Sequence, residues 1–404
     1  MAYTLDRNGE RRLERYFEGI GAILKRRDRC ESFAMYACGL FGDGDRKSVE
    51  PIAARACGDP ERCRAVHDQL LHFIGVSPWS DAAVRGYAAQ YAIDELTKRE
   101  VVQDWIVDDT GFPKQGKKSP GVQRQYSGTL GKTGNCQLAV SVTVATPTLH
   151  LPLDMDLYLP TSWSDDRRRC RAAHIPDDVG YRAKWRIALD LIRRNVEAGV
   201  PIGLMLADSA YGDVGEFRDG VRALGFDYAL DVKKHTRVVI VCDDGAETDP
   251  VNVETVARIV GTRSFRKVTW RQGSRRDLSA AFAAIRVRVV TKEDTRGEEQ
   301  WLVIEKATRS AATVDHYVLA TLPADMSRKQ LARRIKQRWR TERAYEDLKG
   351  ELGLDHFEGR TYTGWQHHVS CVLACYAFLV AERARVFPPE ARRTRPADAI
   401  HLAA

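Results

Sequence analysis

The sequence predicts a mixed α/β fold: one sheet with flanking helices, preceded by a helical region and interrupted by a strand-rich segment. Three observations carry this. Apolar residues recur at helical spacing before about residue 98, short apolar strands alternate with helices over 99–233, and strands dominate 234–322. The order β-β-β-α-β-α-β in the middle segment mixes antiparallel and parallel connections around one sheet.

In the first segment Leu13, Tyr16, Phe17, Ile20 and Leu24 form one apolar stripe. A second helix is expected over 33–41, ended by Gly-Asp-Gly-Asp at 42–45, with others near 49–56, 60–74 and 80–98. Their short connections suggest a compact bundle. The texture then changes. A strand over 101–107 ends in Asp108-Asp109-Thr110, and β-type runs follow at 137–146 and 149–159. A helix over 180–198 carries Trp185, Ala188, Leu189, Ile192 and Val196 on one face. The apolar strand 201–207 ends at Asp208, a helix covers 215–224, and another strand covers 226–232. The clearest strands of the next segment are 238–242, 266–270, 281–290 and 301–305. A long helix is expected from Ser327, its N-cap, to about Leu352, and a last one over 365–385. Residues 323–386 thus return to the sheet, and 387–404 form an Arg- and Pro-rich tail.

Composition narrows the classes. Hydrophobic residues at 44% and charged residues at 29% describe a globular protein and exclude a disordered or fibrous one. A net charge of +8 is compatible with a polyanionic partner without demanding one. The nine cysteines include no C-x-x-C pair, which excludes a zinc knuckle and a thioredoxin-like centre and suits a reducing cytosol. The first residues are too charged for a secretory signal, and the longest apolar run, near 369–380, is too short to span a bilayer. The expected location is cytoplasmic.

Three acids stand out by position. Asp109 and Asp208 each follow a buried strand, and strand ends on one edge of a sheet bring distant side chains together. An acid there needs a cation as partner, either a metal ion or an arginine. The third lies on the expected long helix, where Arg338, Glu342, Tyr345 and Lys349 fall on one face, with Glu346 a neighbouring candidate. Such a set suits phosphoryl transfer. Two hard cations about 3.5–4 Å apart supply a deprotonated nucleophile and a stabilised leaving oxygen, and Asp and Glu supply the hard oxygen ligands. Asp108 competes with Asp109, since only one of two adjacent strand residues faces a given side.

At these residues the chain resembles the DDE transposases of bacterial insertion sequences, in the branch whose signature is Tyr-x2-Arg-x3-Glu-x6-Lys. Arg338, Glu342 and Lys349 match that spacing, while Ile335 stands where the family has Tyr. Val107-Asp-Asp-Thr110 resembles the first-Asp strand, with Asp109 as the residue before Thr, and Leu206-Ala-Asp-Ser-Ala-Tyr-Gly212 resembles the second-Asp motif. The resemblance implies an RNase H-like core with a β-rich insertion before the catalytic Glu helix. It also implies that Asp109, Asp208 and Glu342 hold two Mg²⁺ ions, for which Mn²⁺ can substitute. It further implies nicking at terminal inverted repeats and strand transfer by a 3′-hydroxyl. The partners it implies are double-stranded DNA at the element ends and the target, and a second copy of the chain when bound to DNA; no membrane or small-molecule substrate is expected. Bound to DNA, the protein would lie on the nucleoid. A domesticated DNA-binding protein without catalysis, and a nuclease that does not transpose, are the rival readings.

Other features admit DNA contact or a bland role. Residues 1–98 are either a structural cap or a DNA-end-binding domain that uses Arg26, Arg27, Arg29, Arg46 and Lys47. Lys114, Lys117, Lys118 and Arg124 follow the first acid directly, where cations among glycines suit phosphate contact or a solvated hairpin. Arg338 and Lys349 would clamp phosphates, with Tyr345 beside them. Trp270 sits between cations and either stacks on a base or packs inside the insertion. Arg167–Arg171 is expected as a basic loop. His367 and His368 read as packing or phosphate-contact residues.

Overall fold

In the computed structural model, which describes residues 7–57, 59–242, 244–273 and 277–386, five helices come first. They are α1 (Arg7–Leu24), α2 (Arg27–Phe41), α3 (Val49–Ala56), α4 (Pro60–Gly75) and α5 (Asp81–Leu96). Strands β1 (Asp104–Pro113), β2 (Gln123–Ser127), β3 (Lys132–Ala145) and β4 (His150–Leu157) follow. Short helices α6 (Thr161–Ser164) and α7 (Arg167–Ala172) lead to α8 (Lys184–Glu197). Then come β5 (Leu204–Ala207), α9 (Ser209–Gly212), α10 (Gly215–Ala223) and β6 (Tyr228–Asp231). The strand-rich segment holds β7 (Arg237–Ile240), β8 (Val251–Asn252), α11 (Val253–Val260), β9 (Arg266–Gln272), β10 (Asp277–Val290), β11 (Arg296–Lys306) and β12 (His316–Ala320). Helices α12 (Arg328–Ile335), α13 (Trp339–Gly350) and α14 (Tyr362–Val386) close the described chain. The expected tail at 387–404 lies outside the described residues.

These strands join one twelve-stranded sheet with the main path β2-β3-β1-β5-β6-β12-β11-β10-β7-β8; β4 pairs with β3, and β9 with β10. β1, β5 and β6 run parallel, with β3 and β4 antiparallel beside them, which makes β4-β3-β1-β5-β6 an RNase H-like core. Helices cover both faces, so Trp105, Ile106 and Val107 are all buried and these three residues of β1 read as an unbroken apolar run. The strand-rich segment forms no separate lobe. β12 pairs antiparallel with β6, and the insertion prolongs the core sheet.

The N-terminal helices wrap α14. The stripe noted above buries Tyr16, Ile20 and Leu24, and the Tyr16 hydroxyl donates to the Ala374 carbonyl at 2.8 Å. Tyr36 bonds His368 Nδ1 at 2.8 Å, and His367 bonds the Ile74 carbonyl at 2.8 Å, so both histidines are packing residues. Arg85 joins α5 to Asp154 of β4 at 2.9 Å and to Ser370 of α14 at 2.7 Å. One buried cluster runs from Phe33 through α14 to Val107 and Val142 of the sheet. Among the described residues no helix is long and apolar enough to cross a membrane. All nine cysteines are free.

Three local expectations need correction. Arg167–Ala172 is the helix α7, not a loop, because the Asp166 carboxylate accepts the Arg169 N–H at 2.9 Å as a cap. The strand-rich segment contains the helix α11, whose Val253, Val256 and Ala257 are buried. The long helix expected over 327–352 is two helices. Ser327 does cap α12, in a reciprocal capping box with Gln330. The helix then stops at Ile335, without Gly or Pro. Lys336 reaches Glu305 on β11 at 2.9 and 3.0 Å and sits over the Trp270 ring, and the next N–H bonds reach back three residues, from Arg340 to Gln337 and from Thr341 to Arg338. The sheet, not the local sequence, breaks the helix.

Candidate active site

β1 does not end at Asp108-Asp109 as expected but runs on to Pro113, because its antiparallel pairing with β3 continues past them; the register of that pairing decides where the two adjacent acids point. Asp108 lies opposite Ser141 of β3, and Asp109 opposite Val140. Ser141 bonds the Tyr345 hydroxyl at 2.6 Å, and Thr143, on the same face, bonds Thr341 at 3.1 Å; both partners belong to α13. Asp108 therefore faces α13. Asp109 faces α8, and its carboxylate is paired with Lys184 Nζ.

Asp208 ends β5 and caps α9, accepting the Ala210 N–H at 2.9 Å. The motif that follows has a packing reason for its glycine: a Cβ at Gly212 would overlap the Asp231 carbonyl oxygen, so α9 could not dock on β6. Asp231 ends β6 and bonds His316 Nδ1 at 3.0 Å. Above these strand ends lies Arg338, immediately before α13. Its guanidinium is 3.7 Å from Asp108 Oδ2 and 3.9 Å from Asp208 Oδ2.

The electrostatics follow from burial and crowding. Burial pushes the Asp108 carboxyl from its ordinary 3.8 up to about 7; Arg338 pulls it down, and Asp208 and Asp109 push it further up. Burial also raises Asp208, again against the pull of Arg338. Burial works against the Arg338 charge, but Asp108, Asp231, Asp208 and Glu342 together raise its pKa. The Tyr211 hydroxyl is buried without a hydrogen-bond partner, and burial followed by Asp109, Asp108 and Asp208 raises its pKa.

Glu342 lies one turn beyond Arg338 on α13, exposed to solvent. Glu346 is exposed too, and pairs with Arg343 at 3.0 Å. Among the described residues, no three His, Cys, Asp or Glu side chains stand together as a metal site. What the fold does bring together is a pair of hard oxygen donors, Asp108 and Asp208, with an arginine between them and an orphaned hydroxyl nearby. That pair fits a divalent cation in its chemistry. Of the expected phosphate contacts, Lys349 Nζ instead donates to the Gly111 carbonyl at 2.9 Å, and Lys114 Nζ to the Phe357 carbonyl at 2.6 Å. Tyr345 is bonded to Ser141, whereas Lys117, Lys118 and Arg124 are exposed. Trp270 packs edge-on to Phe282 with ring centroids 5.8 Å apart.

Sequence reasoning passed over Asp231 and Lys184. The first gave the same signal as Asp208, an acid at the end of an apolar strand. The second gave none, because a lysine at the start of a helix is ordinary.

Comparison with known proteins bears on this geometry. Residues 16–277 match the family described as DDE superfamily endonuclease. Over 361 residues the chain is 27% identical to a protein of Microchaete diplosiphon described as a probable transposase for insertion sequence element IS701, covering 88% of this chain and 84% of that one. The family match includes Asp108, Asp109 and Asp208 and stops before α12 and α13; the match to the relative is longer. DDE superfamily endonucleases generally use divalent metal ions.

Proposed function

The chain belongs to the DDE superfamily of endonucleases, and from that premise we propose that it is a DNA transposase that nicks element ends and joins a 3′-hydroxyl to target DNA. The observation that carries this is the convergence of Asp108 and Asp208, from adjoining parallel strands, on one cation beside the helix that bears Glu342. The relative described as a probable transposase supports transposition over a nuclease that stays put.

In this reading Asp108 and Asp208 hold Mg²⁺, two ions per site, and Glu342 completes the ligand set when DNA is bound. Asp108 takes the place expected for Asp109, because its side chain shares a face with α13. When bound, the ions supply an activated nucleophile and neutralise charge on the leaving oxygen. Arg338 occupies the cation position in their absence and turns to a DNA phosphate in their presence. Asp109 and Lys184 hold the end of β1 from the opposite face and position Asp108. The partner is double-stranded DNA at inverted repeats, held by two copies of the chain.

The test is Mg²⁺-dependent nicking of a plasmid that carries the element ends. Asp208→Ala and Asp108→Asn each remove several kcal/mol of stabilisation, on the order of a 10³-fold loss of rate. Asp109→Asn, which disturbs only a supporting ion pair, costs roughly 10- to 100-fold. Retained nicking in Asp208→Ala rejects the metal chemistry. Retained nicking in Asp108→Asn with loss in Asp109→Asn returns the role to Asp109.

A further inference from the structure

A groove of about 1110 Å³ lies between β9 and α12, lined by Arg266, Lys267 and Arg271 on one side and Arg328, Lys329 and Arg333 on the other. Asp277 is the acid among the described lining residues. None of the six cations forms an ion pair with a carboxylate among the described residues, whereas Arg26, Arg27, Arg46, Lys184 and Arg194 elsewhere each do. Arg328 Nε is buried without a partner. Burial, and then the neighbouring Arg266, lower the Arg328 pKa, as expected where like charges are held together. A concentration of unpaired cations is unfavourable for the free protein, and a polyanion relieves it.

We infer that this groove is a second DNA-contact site, which grips backbone phosphates a few base steps away from the scissile bond. This rests on the DNA-cutting function proposed above, and four features favour DNA as occupant. The volume exceeds the roughly 300–1,000 Å³ of small-molecule pockets. The lining offers repeated charge beside the apolar side chains of Val268 and Trp270. Val268 of β9 shares a buried cluster with Ile106 and with Leu331 and Ile335 of α12, so the groove opens on the same side of the sheet as Asp108. It also reaches the catalytic turn, since the Arg271 guanidinium stacks 3.8 Å over Trp339, the residue after Arg338. Eight residues of α12 span about 12 Å. Its N-terminus in the groove therefore stands about three to four base steps of ~3.4 Å from the turn at Arg338. Gripping phosphates at that remove would fix the strand's path without reading its sequence.

The experiment measures metal-free binding of the full chain to a random-sequence DNA duplex as a function of salt. Lys267, Lys329 and Arg333 are exposed, and their joint change to alanine leaves the core untouched. Each phosphate contact contributes about 0.9 to the slope of log K against log salt. The triple variant should therefore show a slope shallower by roughly 3, and the charge-conserving set Lys267→Arg, Lys329→Arg and Arg333→Lys should restore it. An unchanged slope in the alanine variant, with wild-type binding intact, overturns the groove alone. Failure of the wild-type chain to bind duplex DNA overturns both the groove and the function on which it rests.

Discussion

The N-terminal helices and the groove between β9 and α12 are both rich in cations, yet the cations are engaged differently. In the helical region Arg26 pairs with Asp28, Arg27 with Glu31 and Arg46 with Glu358. The Lys47 amine donates to the carbonyls of Leu40, Gly42 and Glu351. In the groove six cations face one space, none of them paired with a carboxylate among the described residues, although Arg266 donates to the carbonyls of Arg263 and Phe265. A count of Lys and Arg in a segment therefore does not measure its field. Local acids and carbonyls decide how much charge is left for a partner molecule, and sequence places them only when they lie within a turn or two. Arg27 and Glu31 are four apart, but Arg46 and Glu358 meet only through the fold.

Substitutions in the helical region can break or sharpen this contrast. The largest effect is expected for Asp154→Ala, which strips the buried Arg85 and the neighbouring Arg194 of a carboxylate. Arg85 keeps Asp81 at 2.8 Å, so the loss should fall short of the about 3–5 kcal/mol that a fully uncompensated buried charge costs, to be read from denaturant unfolding. A loss under about 1 kcal/mol would mean that the helices are not tied to the sheet through this ion pair. Next comes Lys47→Met, which leaves three carbonyls without their donor and should cost about 1–3 kcal/mol in the same assay. No change there would mark the amine as free for phosphate, which erases the contrast. The smallest effect is expected for Arg26→Ala, Arg27→Ala and Arg46→Ala combined. Exposed pairs are screened by solvent and contribute little to stability, and the salt slope of DNA binding should match that of the wild type. A slope as shallow as that of the groove variant would show that the helical region holds phosphates too, as a DNA-end-binding domain would.

Local pattern made much of the architecture legible. The apolar stripe of α1, the cap at Ser327, the buried helix near 369–380 and the apolar strands that carry Asp108-Asp109 and lead to Asp208 all announce themselves within a few residues. The missed elements have separate causes. α7 needed a cap from Asp166, α11 is short, and the stop after Ile335 is imposed by Lys336 meeting Glu305 across the insertion. The candidate site was half legible. The acids on or after the apolar strands could be found from sequence, but the choice between Asp108 and Asp109 turned on one unit of register against β3.

The sequence by itself determined most element types, the strand-rich stretch between Asp208 and the helix bearing Glu342, and the chemistry of the donors, because periodicity and residue type act over short range. Only the tertiary structure decided which face of β1 meets α13, that Arg338 stands between two carboxylates, and which cations are unpaired. Those outcomes depend on which distant residues meet, and the packing of helices against one continuous sheet settles that.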